Sequence, residues 1–196
     1  MGDLDKLIYR TFDILTQVGL PYVGRRGRRD TLAVLFAQAG FNCGAEIGVM
    51  DGVYSEVLCK ANPKLKLKGI DTWTMTSRAT GELKTSQHYN NARKVLTKYG
   101  VELLKMTSME AAKIVPSESL DFVYIDADHK FDEVMLDIIE WSKRVRVGGI
   151  VAGHDYFHFR NCEVPQAVDA YTQAHNIHQW YITREDYPPS WFWVKI

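Results

Sequence analysis

Residues 43–52, which read CGAEIGVMDG, decide the fold class of this chain. A short apolar run bounded by turn residues, as at 43–49, is typical of a strand that is buried on both faces. Gly48 and Gly52 favour a tight turn in which the backbone can approach a ligand closely. Residues 54–61 then have the pattern of a helix, whose N-terminus suits an anion. The stretch therefore predicts a strand, a glycine loop and a helix in succession.

Strands and helices alternate along the rest of the chain. Further strands are predicted at 65–70, 101–106, 120–125, 150–152, 179–183 and 191–196, and further helices at 3–18, 30–39, 90–99, 110–114, 131–145 and 164–175. The last two strands flank a Pro188-Pro189 turn. This pattern predicts an α/β protein with a Rossmann-like, doubly wound sheet of seven strands, mostly parallel, with helices on both faces and an antiparallel C-terminal hairpin strand.

Length and composition limit the class of protein. The chain has 196 residues, which favours a single domain over 1–196. Its 24 basic and 24 acidic side chains give a net charge of zero, which argues against a general nucleic-acid or membrane binder. No apolar stretch reaches the ~18 residues of a membrane span, and three widely spaced cysteines without a CxxC pair favour a reducing compartment. We therefore expect a cytoplasmic protein whose partner is a small molecule.

The N-terminal segment, residues 1–29, reads as an amphipathic helix and a loop with four arginines between Arg25 and Arg29. In a functional role the arginines would grip a phosphate or carboxylate; in a structural role they would form a solvated loop, which is the more common case. We expect this segment to cap the substrate or to contact a second copy of the chain. The aromatic C-terminus is mostly edge-strand packing, and any exposed remainder would also suit a homodimer.

The residues directly after each predicted strand are the candidates for ligand binding, because doubly wound sheets bind ligands at the carboxyl ends of their strands. Asp71 follows Glu46 at close to the spacing of ~20 residues at which an acid binds ribose hydroxyls. For each candidate the alternative is an ordinary turn, cap or core position. The candidates for cofactor binding are Glu46, Gly48, Gly52, Ser55, Asp71, Thr72, Trp73, Thr107, Ser108, Asp126 and His129.

Ionisable residues cluster after the fourth and fifth predicted strands, at 126–129 and 153–156. Ionisable groups at a buried strand end are costly unless they are paired or bind a ligand. Asp126, His154 and Asp155 are therefore candidates for a metal site lined by oxygen and imidazole, or for a general-base pair. The alternative is a hydrogen-bonded aspartate beside a core histidine.

With these residues in place, the chain resembles the class I S-adenosylmethionine-dependent methyltransferases from about residue 28 to residue 196. The resemblance is carried by AEIGVMDGVYS at 45–55, GIDTW at 69–73 and DFVYIDADHKFDEVMLDIIEWSKRVRVGGIVAGHDY at 121–156. The third segment is similar to the small-molecule O-methyltransferase branch, including macrocin-type sugar methyltransferases. The resemblance implies a sheet order of 3-2-1-4-5-7-6, S-adenosylmethionine as the cofactor, and methyl transfer to a hydroxyl as the reaction.

The resemblance also implies roles for the candidate residues. Glu46, Gly48, Gly52 and Ser55 would hold the methionine part of the cofactor, Asp71 its ribose, Thr72 and Trp73 its nucleoside, and Thr107 and Ser108 its adenine. In catechol-type and caffeoyl-coenzyme A-type relatives, an aspartate that matches Asp126 binds a divalent metal together with an Asp-Asn pair. His154-Asp155 stands in place of that pair here. This change favours a zinc-like metal over magnesium, or makes His154 the base that deprotonates an acceptor hydroxyl.

Three functions remain open from the sequence. The first is methyl transfer to a hydroxyl of a small molecule, with sugars among the candidates. The second keeps the cofactor but methylates a nitrogen or transfers another group derived from S-adenosylmethionine, and the third is a non-catalytic nucleoside-binding module. A dinucleotide dehydrogenase is disfavoured, because the loop lacks the third glycine of the GxGxxG spacing.

Overall fold

The computed structural model describes residues 2–14, 19–76, 83–85 and 87–196. Its strands are β1 (Tyr22–Val23), β2 (Cys43–Ile47), β3 (Lys66–Asp71), β4 (Thr74–Thr76), β5 (Leu83–Thr85), β6 (Glu102–Lys105), β7 (Leu120–Ile125), β8 (Val145–Gly153), β9 (Trp180–Ile182) and β10 (Trp191–Val194). Its helices are α1 (Asp3–Phe12), α2 (Arg29–Gln38), α3 (Val53–Ala61), α4 (Gln87–Leu96), α5 (Ser108–Ile114), α6 (Phe131–Ser142) and α7 (Val164–Ala174), with a short 3₁₀ turn at Thr97–Tyr99. The predicted alternation of strands and helices is therefore present.

The main sheet has eight strands in the order β1-β9-β10-β8-β7-β2-β3-β6. Every neighbouring pair is parallel except those of β10, which runs antiparallel to both β8 and β9. This confirms a Rossmann-like, mostly parallel sheet with an antiparallel C-terminal hairpin strand. The strand order reverses between β2 and β7, so the crevice expected in such a sheet lies at the carboxyl ends of these two strands.

The prediction of seven strands is wrong, because Tyr22–Val23 adds an eighth strand at the edge, beside β9. Two residues are too short to show an alternating pattern, and they stand in a stretch that reads as a loop after Pro21. The observed order differs from the predicted one by this edge strand.

A separate two-stranded sheet pairs β4 with β5 in antiparallel register, within a segment that the sequence presents as polar and aperiodic.

Helices cover both faces of the main sheet, as predicted. On one face, α6 and α7 contribute Ile138 and Val168 to a buried apolar cluster with the strands. On the other face, α2 and α3 contribute Leu35 and Leu58 to a second cluster. Since the central strands are buried on both faces, they have the continuous apolar composition that identified them. None of the described helices is long and apolar enough to cross a lipid bilayer.

The first helix is shorter than predicted, because α1 ends at Phe12 rather than at residue 18. Asp13 takes a left-handed backbone conformation with φ of 51°, which a continuing helix does not allow. The remainder of the predicted helix, residues 15–18, lies outside the described residues. Ile8 and Phe12 are buried in the same apolar cluster as α2, so α1 belongs to the core of the fold. A role of 1–29 in capping the substrate or in contacting a second copy stays a prediction.

Gly44 is required where β2 meets β7, because a Cβ atom there would lie 2.2 Å from Cζ of Phe122. We expect Gly44→Ala to lower the free energy of unfolding by roughly 1–3 kcal/mol, the usual cost of overpacking. Urea denaturation measures this change. As a control, the same substitution in a Phe122→Leu background should cost less, because the smaller side chain makes room. Equal costs in the two backgrounds would contradict this packing.

Candidate functional site

The glycine loop after β2 lies against the end of β7. Gly48 has a φ of 89°, and a Cβ atom there would lie 2.0 Å from the backbone oxygen of Asp126. Gly52 has a φ of 80° at the N-terminus of α3, where a Cβ atom would lie 2.8 Å from Leu96 Cδ1. Both positions therefore require glycine, for backbone conformation and for space. The loop leaves the backbone of Gly48 facing the crevice at the carboxyl edge of the sheet.

Asp71, at the end of β3, holds this loop in place through hydrogen bonds to its backbone. Its Oδ2 accepts hydrogen bonds from the backbone N–H of Val49 (3.0 Å) and Met50 (2.9 Å), and its Oδ1 accepts one from Trp73 (2.7 Å). A carboxylate has about four acceptor positions, so about one is left for a ligand. That position can take a ribose hydroxyl, and the role of Asp71 in binding a ribose stays a prediction.

Trp73 packs behind the loop and does not line a cavity at the site. Its ring is buried in a small cluster with Val49, Ala92 and Leu96, and its Nε1 donates to the backbone oxygen of Met50 (2.8 Å). The expectation that this ring lies beside a nucleoside does not fit its placement in the core. Trp73 instead supports the loop.

Two adjoining cavities open at the carboxyl edge of the sheet. The first, here called the Asp71 cavity, has a volume of about 390 Å³, and its lining includes Gly48, Asp71, Thr72, Ser108 and Asp126. The second, the Glu46 cavity, has a volume of about 400 Å³, and its lining includes Arg29, Glu46, Gly48, Asp126, His129 and Asp155. Because Gly48 and Asp126 line both cavities, one elongated ligand can extend from the first into the second.

Of the two predicted residues after β6, only Ser108 lines a cavity. Thr107 caps α5, since its Oγ1 accepts a hydrogen bond from the N–H of Glu110 (3.2 Å) and donates one to the Glu110 carboxylate (2.7 Å). Ser108 Oγ donates to Asp137 and accepts from Trp141 Nε1 (2.7 Å). Burial raises the pKa of Asp137 to about 6. The hydroxyl of Ser108 is thus held in place by two buried residues of α6 that the sequence analysis missed.

Glu46 carries a buried carboxyl group at the back of its cavity. The residue is 2% exposed, and Ser55 Oγ donates a hydrogen bond to Glu46 Oε2. Burial raises the pKa of this carboxyl to about 8, which means that it is largely protonated at neutral pH. Arg29, which lines the same cavity, lowers this pKa, but by less than burial raises it, and no ion pair to Glu46 is found among the described residues. A cation brought into the cavity would favour its ionised form.

Asp126, His154 and Asp155 come together at the ends of β7 and β8, as predicted. His154 Nδ1 lies 3.2 Å from Asp155 Oδ1 and 3.9 Å from Asp126 Oδ1. His129 Nε2 lies 2.8 Å from the other oxygen of Asp155. One ligand atom from each of the three predicted residues lies within 4.8 Å of the others, so the donor set fits a divalent cation as well as a general base held by carboxylates.

Burial and hydrogen bonding shift the pKa values of the two carboxyl groups of this cluster in opposite directions. Burial raises the pKa of Asp126 to about 6, although His154 and Arg29 partly offset the effect. Burial also opposes ionisation of Asp155, but hydrogen bonds from His129 and His154 outweigh it and lower the pKa of Asp155. The hydrogen bond to Asp155 in turn raises the pKa of His129. Asp155 is therefore a stable anion that orients both histidines.

Arg29 belongs to the site, contrary to the interpretation of its loop as solvated. Its N–H donates to Asp186 Oδ2 (2.7 Å), and its backbone oxygen accepts from the hydroxyl of Tyr54 (2.9 Å). Its guanidinium lies 5.3 Å from the centre of the Tyr54 ring and 3.8 Å from Asp126 Oδ2. Arg26 is exposed, which suits the solvated-loop interpretation, although its side chain also donates to backbone oxygens at the end of α1. Nothing in the sequence separates these two arginines.

The comparisons with known proteins agree with this geometry. The chain matches the family described as methyltransferase domain over residues 45–156, which is more than half of its length and includes the glycine loop, Asp71 and the Asp126–His154–Asp155 cluster. No curated protein matches the sequence.

Solved structures with the same fold are distant in sequence. An O-methyltransferase from Bacillus cereus, in complex with S-adenosylhomocysteine (SAH), is 15% identical with a TM-score of 0.63, and the match covers 98% of this chain and 90% of that one. The O-methyltransferase TomG from Streptomyces achromogenes, in complex with S-adenosylmethionine, is 16% identical with a TM-score of 0.63, over 98% and 89%. A protein from Clostridium thermocellum assigned as an rRNA methylase is 13% identical with a TM-score of 0.63, over 87% and 98%. At these identities the similarity establishes the fold.

Glu46 makes the stability of the protein depend on pH. Its folded-state pKa of about 8 lies above the ordinary value of 4.5, so between these values the folded chain keeps a proton that the unfolded chain releases. The stabilisation is complete below the unfolded pKa and is lost as pH rises through the folded pKa. From pH 5 to pH 8, the stability of the wild type should fall relative to that of Glu46→Gln by roughly 2–4 kcal/mol. Urea denaturation at both pH values tests this, and an unchanged difference would contradict it.

Proposed function

The chain belongs to the family of methyltransferase domains, and from this we propose that it transfers a methyl group from S-adenosylmethionine to a hydroxyl group of a small molecule. The observation that supports this function best is that two neighbouring cavities share Gly48 and Asp126 in their linings. A nucleoside with an amino-acid tail is long enough to need both. Its middle would then lie beside Asp126, next to His154 and Asp155, where a reacting hydroxyl can be deprotonated.

The Asp71 cavity suits the adenosine part of the cofactor. The free acceptor position of Asp71 can take a ribose hydroxyl, as acids at this strand end do in doubly wound sheets. Thr72 offers a hydroxyl to the adenine, and Ser108, whose proton goes to Asp137, can only accept a hydrogen bond from it. Trp73 and Thr107 would contribute by holding the glycine loop and the start of α5 in place.

The Glu46 cavity suits the methionine part. The α-ammonium of the cofactor would supply the positive charge that buried Glu46 lacks, with Ser55 bonded to the same carboxyl group. The carboxylate of the cofactor would lie towards the N-terminus of α3, whose first residue, Val53, lines this cavity and where the helix dipole favours a negative charge.

The reaction needs little beyond alignment and one base. S-adenosylmethionine supplies a methyl group that its positive sulfur already activates, and the methyl moves in line from sulfur to the acceptor oxygen. The hydroxyl proton passes to His154, which Asp155 orients at 3.2 Å, while His129 holds the other oxygen of Asp155. The products are a methyl ether and SAH.

A divalent metal is the alternative way to activate the hydroxyl. Asp126, His154 and Asp155 would hold it, and its positive charge would lower the pKa of the acceptor hydroxyl. In that case His154 would serve as a ligand and not as the base. The imidazole in the donor set favours a zinc-like ion over magnesium.

Cofactor binding depends on Asp71. Asp71→Asn removes the negative charge and part of the acceptor capacity, so we expect calorimetry to show at least about tenfold weaker binding of S-adenosylmethionine. Asp121→Asn is the matched control, because Asp121 likewise accepts hydrogen bonds from backbone N–H groups, two of them, but lies at the opposite end of the sheet. Equal affinity in wild type and Asp71→Asn, or no binding to the wild type, would contradict the proposal.

His154 distinguishes the two ways of activating the acceptor. We expect His154→Gln to lower kcat by about 10²–10⁴-fold while the KM for the cofactor stays the same. His175→Gln, outside the site, is the control. Measurement after treatment with a chelator separates the roles: unchanged activity supports a base, and loss restored by Zn²⁺ or Mn²⁺ supports a metal. Full activity of His154→Gln would exclude both.

A further inference from the structure

The guanidinium group of Arg29 has no role in the function proposed so far. Arg29 is the first residue of α2, and its side chain is 33% exposed and lines the Glu46 cavity. Its Nη1 lies 3.8 Å from Asp126 Oδ2, which is beyond hydrogen-bond distance. No oxygen of the described residues accepts a hydrogen bond from this guanidinium. Its N–H donors are therefore available to a ligand in the cavity.

The backbone of Arg29 is fixed on both sides, so that its side chain begins at a defined point. The N–H donates to Asp186 Oδ2 (2.7 Å), and the backbone oxygen accepts from the hydroxyl of Tyr54 (2.9 Å). The guanidinium carbon lies 5.3 Å from the centre of the Tyr54 ring, and Tyr54 is the second residue of α3. The cation is therefore held beside the first turn of α3, where the carboxylate of the cofactor is expected.

The charges around the Glu46 cavity show why a carboxylate would need this cation. Four acidic residues line the cavity: Glu46, Asp51, Asp126 and Asp155. Arg29 is the only arginine or lysine among the described lining residues, and His129, the one histidine there, is already paired with Asp155. Acidic neighbours repel a bound carboxylate, and a helix N-terminus offers only roughly half an elementary charge to offset them. A guanidinium offers a full charge and paired hydrogen bonds.

We propose that Arg29 binds the carboxylate of S-adenosylmethionine and thereby selects the intact cofactor over its decarboxylated form. The fork of N–H groups on a guanidinium matches the two oxygens of a carboxylate. With the ammonium on Glu46 and the carboxylate on Arg29, both charges of the amino-acid tail have a partner. The inference rests on the proposed function and extends it, because it names the residue that selects the cofactor. Such a site disfavours reactions of the decarboxylated cofactor, such as transfer of its aminopropyl group.

The position of Arg29 separates it from the other arginines of its loop. Arg25, Arg26 and Arg28 are exposed and line neither cavity of the site. Arg29 also precedes residues 45–156, over which the chain matches the methyltransferase family. It therefore adds a contact to the cofactor from outside the family-matched segment.

Two ligands that differ only in the carboxylate test this role. SAH carries both charges, whereas in decarboxylated SAH an aminopropyl chain, with the ammonium alone, replaces the amino-acid tail. Calorimetry gives the dissociation constant of each, and the wild type should bind SAH at least about tenfold more tightly. Arg29→Gln should weaken SAH at least about tenfold, because charged hydrogen bonds are lost. It should not weaken decarboxylated SAH, because removing a cation relieves repulsion of the ammonium.

Two further variants serve as controls. Arg28→Gln changes an exposed arginine outside the cavity, so both dissociation constants should keep their wild-type values. Glu46→Gln should weaken both ligands, because both retain the ammonium.

The comparison of ligands on one variant separates a specific contact from a structural defect, since a distorted cavity would weaken both. Equal weakening of both ligands by Arg29→Gln would therefore overturn the role of Arg29. Unchanged affinity of Arg29→Gln for SAH, or equal affinity of the wild type for the two ligands, would overturn it as well. In each of these cases SAH still binds to the wild type and the proposed function stands. Absence of SAH binding to the wild type would overturn the proposed function, and the role of Arg29 with it.

Discussion

Asp71 and Gly48 hold the glycine loop in the position on which the rest of the site depends. The carboxylate of Asp71 accepts the N–H groups of Val49 and Met50, and the backbone of Gly48 packs against the backbone of Asp126. These contacts join β3, β2 and β7 at the point where the strand order reverses. Both cavities share Gly48 and Asp126, so backbone contacts, rather than mobile side chains, fix their relative position.

The carboxyl groups along this crevice differ in whether a cationic side chain lies beside them. Glu46 is buried without an ion pair among the described residues, whereas Asp126 has Arg29 at 3.8 Å and Asp155 has two histidines. A buried carboxyl group without a cation is costly when ionised. In the proposed complex, the ammonium of the cofactor removes that cost. The two histidines already compensate the charge of Asp155, and His154 is the group that accepts the proton of the acceptor hydroxyl.

The sequence predicts the features that have a local signal, and it misses those that depend on three-dimensional neighbours. The apolar runs of β2 and β7, and the polar residues that end β7 and β8, are visible because burial on both faces selects composition and strand ends select polar groups. The strand Tyr22–Val23 is too short for any period. In the sequence, Arg29 is indistinguishable from the other arginines of its loop. Trp73 packs against residues of α4, and the sequence does not show that α4 lies next to the glycine loop in space.

The most direct test of the central claim is a crystal structure of the protein with SAH. We expect the ribose on Asp71, the adenine beside Ser108, the ammonium on Glu46, and the sulfur facing the side of the crevice that holds Asp126 and His154. A ligand bound elsewhere, or one whose sulfur points away from Asp126 and His154, would contradict it.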